Sequence, residues 1–320
     1  MNHVDITLLD NYKQEFEKMY EDVLITNISQ GANHSGLKQN YCELLNFNHN
    51  FKMSVFIKEI TSDRIYKNNF RHWQDVFDTL EIIYQQAANM LLHQKRLVTI
   101  GGDHSLSVAT ICARSVYSDN SGIIWIDSHA DINTMLSTVT GNIHGMPLSF
   151  LLGDGGINIG KKYTCLSPEQ LVYIGLRDIE PQEEAIIHRK GIKYWSYSKL
   201  VSAGVDQVLQ EVSDYFKIRN ITDIHVSFDL DVMDFQLIPG VTVPVYDGGI
   251  TFAAAYQMLA FILSAFRVSS FDIVEYNPHY DVNHKTLKFV NELLDFIWPK
   301  LVDIDIKKMI PLDKNRQYYA

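Results

Sequence analysis

The sequence has few cysteines, no long hydrophobic run and no concentration of basic residues, and each absence excludes a class of protein. Its three cysteines, Cys42, Cys112 and Cys165, are widely spaced and odd in number, which indicates reduced thiols rather than a disulfide framework or a zinc knuckle. No apolar stretch approaches the roughly 18 residues of a transmembrane helix. Residues 1–20 carry four acidic side chains and lack the apolar core of a secretory signal. These features predict a cytoplasmic protein that is not embedded in a membrane.

The charge balance is acidic, with 28 Lys and Arg against 38 Asp and Glu and a formal net charge of -10. Without a basic stripe, a nucleic-acid partner or an anionic membrane surface is not expected. The chain of 320 residues is 46% hydrophobic and 21% charged, which is typical of a globular protein. It contains no repeat or low-complexity run, so we predict a single domain over residues 1–320 that ends in a polar tail at 302–320.

Short apolar segments alternate with segments of helical periodicity through most of the chain. Strands are predicted at Val23–Ile28, 50–61, Arg96–Ile100, Ile123–Asp127, Leu171–Gly175, Ile192–Trp195, Ile224–Phe228 and Phe271–Val274. Helices are predicted at His72–Gln94, Ser105–Tyr117, 181–190, Gln207–Phe216, Thr251–Phe266 and His284–Leu301. The alternation predicts an α/β fold in which helices cover both faces of a mostly parallel sheet of about eight strands.

Three potential metal ligands directly follow one predicted strand. Asp127, His129 and Asp131 stand at two-residue steps, and if the chain stays extended their side chains point to the same face. Two carboxylates and an imidazole suit a hard or borderline divalent cation such as Mn²⁺. An isolated pattern of this kind is equally compatible with a strand that ends in a polar loop.

Similar side chains follow three other predicted strands, namely His104, the pair Asp229 and Asp231, and Glu275. In parallel sheets ligands bind at the carboxyl ends of strands, so these groups are expected to meet. Asp229 and Asp231 could occupy a simple turn, but at a buried strand end they would repel each other unless a cation were present. Two histidines and four aspartates are too many ligands for one ion and suit two, which together can hold a water and generate hydroxide.

The order of these motifs resembles the ureohydrolases, and among them the arginases. The matching segments are 101–105, 127–134, 141–147, 174–178, 227–231 and 274–278. They fall between residues 95 and 300, whereas residues 1–95 have diverged and no Gly/Pro-rich segment of the arginase type is apparent there. The resemblance implies a three-layer α/β/α fold and a binuclear Mn²⁺ centre that other divalent ions such as Co²⁺ could also occupy.

The resemblance also assigns roles to individual residues. One ion would be held by His104, Asp127, Asp131 and Asp229, and the other by Asp127, His129, Asp229 and Asp231. His144 would be a proton shuttle rather than a surface residue, Glu275 would bind a guanidinium, and Asp131 would help to stabilise the tetrahedral intermediate. The far end of the substrate would meet Asn133, Thr140, Asn142, Asp178, Glu180 and Glu183. Glu180 and Glu183 could instead be acidic residues that simply begin a helix.

The sequence therefore predicts a hydrolase of linear amidines, and L-arginine would give L-ornithine and urea through attack by a metal-bridging hydroxide. Val243 stands where the family carries a threonine near the guanidinium, and Val232 stands where arginases prefer glycine, so agmatinase and formimidoylglutamase stay open. The sequence is also compatible with a related amide hydrolase that uses one Zn²⁺, and with an inactive family member that acts as a binding or assembly subunit. The resemblance further implies a homo-oligomer, a trimer or hexamer.

Overall fold

The structure is a computed structural model that describes residues 23–32, 34, 36–37, 43–44, 53–56, 72–94, 96–118, 120–155 and 163–302. Its strands are β1 Val23–Thr26, β2 Met53–Phe56, β3 Leu97–Gly101, β4 Ser121–Ile126, β5 Leu171–Ile174, β6 Lys193–Trp195, β7 Asp223–Asp229 and β8 Arg267–Val274. Its helices include α1 Trp73–Gln94, α2 Ser107–Ser115, α3 Pro147–Leu151, α4 Pro181–Lys190, α5 Tyr197–Ala203, α6 Val205–Ile218, α7 Phe252–Ala265 and α8 Lys285–Val302.

The strands form one eight-stranded sheet in the order β2-β1-β3-β8-β7-β4-β5-β6. Every neighbouring pair in it is parallel, which confirms the predicted sheet. Successive side chains of a strand point to opposite faces, and β4 accordingly buries Ile124 and Ile126 in one core and Ile123 and Trp125 in the other.

A layer of helices covers each of these cores. Residues of α6, α7 and α8 fill the core on one face of the sheet, and residues of α1, α2, α3 and α4 fill the core on the other. This arrangement confirms the three-layer α/β/α architecture. No helix in the described ranges is both long enough and apolar enough to cross a bilayer. The polar tail beyond residue 302 and the N-terminal residues before 23 lie outside the described part, and the single domain stays a prediction.

Two differences from the predicted elements have clear physical reasons. Strand β8 begins at Arg267 rather than Phe271, because buried partners satisfy its polar residues: Arg114 Nε donates to Ser269 Oγ at 2.5 Å. Helix α5 was not predicted; its first turn is capped by the Ser196 hydroxyl, which accepts from the Lys199 amide at 3.2 Å. Hydrogen bonds of these kinds allow polar segments to form regular secondary structure that the local sequence does not predict.

Candidate metal centre and substrate pocket

Four adjacent strands in the middle of the sheet, β3, β8, β7 and β4, deliver the predicted polar side chains to one edge. His104 lies three residues beyond β3, Asp127 directly follows β4, Asp229 is the last residue of β7 and Glu275 directly follows β8. All four residues are buried, with at most 2% of their surface exposed. The strand order thus brings together residues that are as much as 171 positions apart in the sequence.

His104 lies at the centre of a first group of candidate ligands. Its Nδ1 atom is 3.1 Å from Asp127 Oδ2, 3.0 Å from Asp131 Oδ2 and 3.0 Å from Asp229 Oδ2. The atom is buried, yet none of these contacts has hydrogen-bond geometry. A cation bound between the imidazole and the carboxylates would satisfy it, so the residues present fit a metal site.

A second group shares Asp127 with the first and adds His129 and Asp231. His129 Nδ1 is 2.9 Å from Asp231 Oδ2 and 3.7 Å from Asp127 Oδ1. The ligand atoms of each group lie within 4.8 Å of one another. Ser128 Oγ donates to the other oxygen of Asp231 at 2.5 Å. Five of the six predicted ligands thus fall into two groups that share Asp127: His104 and Asp229 complete one group, and His129 and Asp231 complete the other. The sixth, Asp131, contacts His104 Nδ1.

A turn, and not an extended strand, makes these ligands converge. Strand β4 ends at Ile126, and Asp131 has a φ of 50°, a left-handed conformation that is uncommon outside glycine. Asp127 Oδ1 accepts the His129 amide at 2.7 Å, and Asp127 Oδ2 accepts Trp125 Nε1 at 2.9 Å. The expectation that side-chain alternation aligns the three ligands was wrong, although the ligands themselves do meet.

A buried chain of hydrogen bonds determines which nitrogen of His104 faces the carboxylates. Asp272 accepts from the Ser107 hydroxyl at 2.9 Å, so Ser107 must in turn accept the Ser227 proton across 3.1 Å. Ser227 Oγ is then left to accept from His104 Nε2 at 2.8 Å. With its proton on Nε2, His104 presents the lone pair of Nδ1 to the site, as a metal ligand must. The ring also stacks on Trp125, with centroids 3.9 Å apart.

Electrostatics at the site favour a cation. Burial, reinforced by Asp231 and Asp131, raises the pKa of Asp127 to about 7. Burial and the same kind of repulsion raise the pKa of Asp229 well above its ordinary value. Burial would also raise the pKa of Asp231, but the His129 imidazole outweighs it and brings that pKa to about 2. Bound divalent ions would remove the repulsion between these carboxylates.

His144 lies in a short 3₁₀ turn, Ile143–Gly145, and pairs with Glu275. His144 Nδ1 is 3.1 Å from Glu275 Oε1, the same oxygen that accepts the His104 amide at 2.9 Å. Burial lowers the pKa of His144, but the hydrogen bond and charge of Glu275 raise it to about 9. Glu275 has a φ of 65°, a strained conformation of the kind found at functional sites.

A pocket of about 260 Å³ opens above these groups. It is lined by every residue predicted for the far end of the substrate: Asn133, Thr140, Asn142, Asp178, Glu180 and Glu183. Asn133 Nδ2 donates to Glu180 Oε2 at 3.1 Å, which joins the two loops across the pocket. Thr138 also lines the pocket and was not predicted from the sequence. Polar side chains alternate through Thr138, Thr140 and Asn142, and this pattern could have been used to predict Thr138 as a pocket residue.

Glu180 is the N-cap of helix α4 and Glu183 lies in its first turn, and both residues also line the pocket. They form a reciprocal cap in which Glu183 Oε2 accepts the Glu180 amide at 3.2 Å. Glu183 Oε1 accepts the Ile132 amide at 3.2 Å, which ties the helix to the metal-binding turn. Burial and the nearby Asp131 raise the pKa of Glu183 to about 7.

Comparison with known proteins agrees with this geometry. The sequence profile of the Arginase family matches residues 27–297. The chain belongs to this family. It is 40% identical over 197 residues to "Arginase-2, mitochondrial" from Rattus norvegicus, a match that covers 60% of this chain and 55% of that protein. It is 31% identical over 234 residues to "Arginase" from Staphylococcus aureus (strain MRSA252), covering 73% and 76%.

The fold comparison covers more of the chain. The crystal structure of arginase from Bacillus subtilis superposes with a TM-score of 0.77 and 27% identity, covering 89% of this chain and 98% of that one. The match to the rat protein spans only about half of that protein's length.

In this member of the Arginase family, a segment before residue 95 also reaches the site. The Gly31 carbonyl accepts the His144 amide at 3.2 Å, and the Ala32 amide donates to Asp103 Oδ2 at 3.2 Å. A Cβ atom on Gly31 would lie 2.4 Å from Asp103 Oδ1, so the close approach requires glycine. No site segment before residue 95 was predicted from the sequence, although the glycines of the loop 31–36 were a local signal.

Val243, which stands where the resemblance predicts a threonine, lines the pocket and is 42% exposed. The neighbouring Thr242 is 8% exposed and lies beside Glu275, but its hydroxyl does not donate in hydrogen-bond geometry. Burial raises the pKa of Glu275, yet the hydrogen bond and charge of His144 lower it below its ordinary value. This chain thus presents the apolar side chain of Val243 to the pocket.

Proposed function

We propose that the protein is a binuclear-metal hydrolase of linear amidines and that its substrate is L-arginine, which gives L-ornithine and urea. The observation that carries the proposal is the pair of ligand groups that share Asp127, of which His129, Asp229 and Asp231 line the pocket. Relatives named as arginases support the same activity. In the proposal, His104, His129 and the four aspartates would hold the ions, and Asp127 and Asp229 would contribute to both sites.

Mn²⁺ is the proposed metal, and Co²⁺ is a second candidate. Four carboxylates favour hard ions, while two imidazoles extend the range to borderline ones. When bound, two such ions act as Lewis acids and lower the pKa of a water between them. The chain's own contribution is to hold the ligands in fixed orientations: the hydroxyls of Ser227 and Ser128 contact His104 and Asp231.

The reacting end of the substrate would meet Glu275, His144 and Asp131. Glu275 Oε2, which has no hydrogen-bond partner among the described residues, can accept from a planar guanidinium, which orients the carbon toward the metal ligands. His144 holds a proton at neutral pH because of Glu275, and it would give that proton to the departing amine. Asp131, which contacts His104 and lines the pocket, would help to stabilise the tetrahedral intermediate.

The other end of the pocket favours an amino acid over a simple amine. Asn133, Thr140 and Asn142 offer amide and hydroxyl donors for a carboxylate, while Asp178 and Glu180 offer negative charge for an ammonium group. Agmatine has no carboxylate to use the donors. N-formimidoyl-L-glutamate has one, and Val243 removes a contact that a guanidinium would use, so this substrate is the second candidate.

A panel of three substrates tests the proposal. Protein loaded with Mn²⁺ is incubated with L-arginine, agmatine or N-formimidoyl-L-glutamate, and urea and formamide are measured, with metal content determined in parallel. Urea from L-arginine and two metal ions per chain are expected. Formamide from the third substrate would identify a formimidoylglutamase, and urea from agmatine alone an agmatinase. One Zn²⁺ per chain would support an amide hydrolase, and full metal content without any product would support an inactive binding subunit.

The proposed cellular location and oligomeric state are inferred from the sequence. A cytoplasmic location follows from composition, and a trimer or hexamer follows from family resemblance. Sedimentation of the purified full chain measures the second directly.

A further inference from the structure

Two cysteines outside the metal centre lie in contact with each other. Cys112 is buried on helix α2, and Cys165 is half-buried in the segment that follows Tyr163. Their Sγ atoms are 3.0 Å apart although 53 positions separate them in the sequence. Because the sulfur atoms of a disulfide are about 2.0 Å apart, an approach of about 1 Å would complete the bond.

Both thiols are held in place by the surrounding backbone. The amides of Cys165 and Leu166 each donate to the Leu151 carbonyl at 3.1 Å, at the end of helix α3. The Cys112 thiol donates to the Tyr163 carbonyl at 3.2 Å, which binds the same segment to α2. The pair is therefore positioned before any oxidation, and bond formation needs no large rearrangement.

A cavity of about 250 Å³ gives access to one member of the pair. It is lined by Ile111, Ser115, Val116, Ile123, Leu166 and Cys165, whereas Cys112 is not among its lining residues. A small disulfide can therefore reach Cys165 first and Cys112 only afterwards. This order assigns Cys165 as the attacking thiol and Cys112 as the resolving thiol.

We propose that Cys112 and Cys165 form a reversible intramolecular disulfide by exchange with a low-molecular-weight disulfide. The Cys165 thiolate attacks the reagent, forms a mixed disulfide and releases one thiol. The Cys112 thiolate then attacks Cys165 Sγ and releases the second thiol. Two cysteine thiols are oxidised and one reagent disulfide is reduced to two thiols, which carry the two protons.

The bond would connect the two helices that continue from the active-site loops. Helix α2 begins directly after the 3₁₀ turn His104–Leu106, and helix α3 begins two residues after the turn that contains His144. Cys165 is anchored to the end of α3, so the disulfide would fix the packing between these helices. The oxidised protein should therefore unfold at a higher temperature than the reduced protein.

The test counts thiols in the full-length protein and does not depend on activity. The protein is incubated with cystamine, free thiols are trapped, and the digest is mapped by mass spectrometry. We expect the thiols of Cys112 and Cys165 to be lost together, with a Cys112–Cys165 peptide, and the unfolding midpoint to rise by at least about 2 °C. A reductant should reverse both changes.

Variants separate the two steps. Cys112→Ser should stop at one cysteamine on Cys165 with no rise in midpoint, and the matched control Cys42→Ser should retain the disulfide and the rise. Three free thiols after oxidation, a bond to Cys42, or a mixed disulfide that persists on Cys165 in the unsubstituted protein would each overturn the proposal. The peptide map and Cys42→Ser decide the question even if Cys112→Ser does not fold.

Discussion

Removal of the Ser227 hydroxyl should weaken metal binding even though Ser227 is not a ligand. A metal on His104 Nδ1 requires the proton on Nε2, and Ser227 Oγ, at 2.8 Å, is the acceptor for that proton. Both residues are fully buried, so bulk water cannot replace the hydroxyl. Without the metal, His104 can place its proton on Nδ1 among the carboxylates, so Ser227→Ala penalises the metal-bound state more than the free one.

The magnitude follows from the cost of a buried donor without a partner. That cost is about 1–3 kcal/mol, and about 1.4 kcal/mol corresponds to a tenfold change in a dissociation constant. Ser227→Ala should therefore raise the Mn²⁺ dissociation constant of the His104 site about 5- to 150-fold. Losses of about 10- to 100-fold are typical when a partner of a metal-binding histidine is removed, which agrees with this range.

Competition with a metal chelator measures the two Mn²⁺ affinities, and elemental analysis gives the metal content. Ser213→Ala is the matched control, because Ser213 is equally buried but lies on helix α6 outside the site. The role of Ser227 is refuted if Ser227→Ala binds both ions within about twofold of the unsubstituted protein, or if Ser213→Ala loses affinity to the same extent.

Four further changes test other parts of the site. Asp127→Ala removes the ligand common to both groups, so metal content should fall below one ion per chain and turnover should fall to background. A metal content near two Mn²⁺ ions per chain would contradict the assignment of Asp127 as a shared ligand. His144→Asn should lower kcat about 10²- to 10⁴-fold at unchanged metal content, and a loss that tracks metal content would argue against a proton-transfer role. Burial lowers the pKa of His144, but Glu275 raises it from 6.5 to about 9; the stability that this pairing contributes is complete below pH 6.5 and is lost as the pH rises through about 9. In urea unfolding of metal-free protein, the difference in unfolding free energy between unsubstituted and Glu275→Gln protein should therefore be smaller at pH 10 than at pH 7. Val243→Thr restores a hydroxyl worth about 1 kcal/mol and should lower KM for L-arginine a few-fold; an unchanged KM would mean that the substrate does not reach this position.

The strands and the identity of the candidate metal ligands could be predicted because both depend on local patterns. Apolar runs indicated the strands, and acidic or imidazole side chains directly after Ile126 and Phe228 indicated the candidate ligands. A parallel sheet places all such ends at one edge, so the meeting of His104 with Asp229 followed from topology alone. The roles of these residues came from family resemblance, and they remain proposals.

The details that could not be predicted depend on contacts between distant residues. The left-handed conformation of Asp131 and the approach of Gly31 to Asp103 leave no periodic signal in the sequence. The early start of β8 depends on Arg114, which lies 155 residues from its partner Ser269. Long-range hydrogen bonds of this kind outweigh local propensity in a buried strand.

Glu275 connects the metal centre to the proposed proton donor through a single oxygen atom. Its Oε1 accepts the His104 amide at 2.9 Å and lies 3.1 Å from His144 Nδ1. Oε2 is buried and accepts no hydrogen bond in good geometry within the described residues. A bound guanidinium would therefore donate to Oε2. Oε1 contacts both the His104 amide and His144, and so fixes the position of one turn relative to the other. The Glu275 carboxylate must reach two loops and the substrate from the end of one strand. The strained backbone conformation of Glu275 is consistent with this requirement.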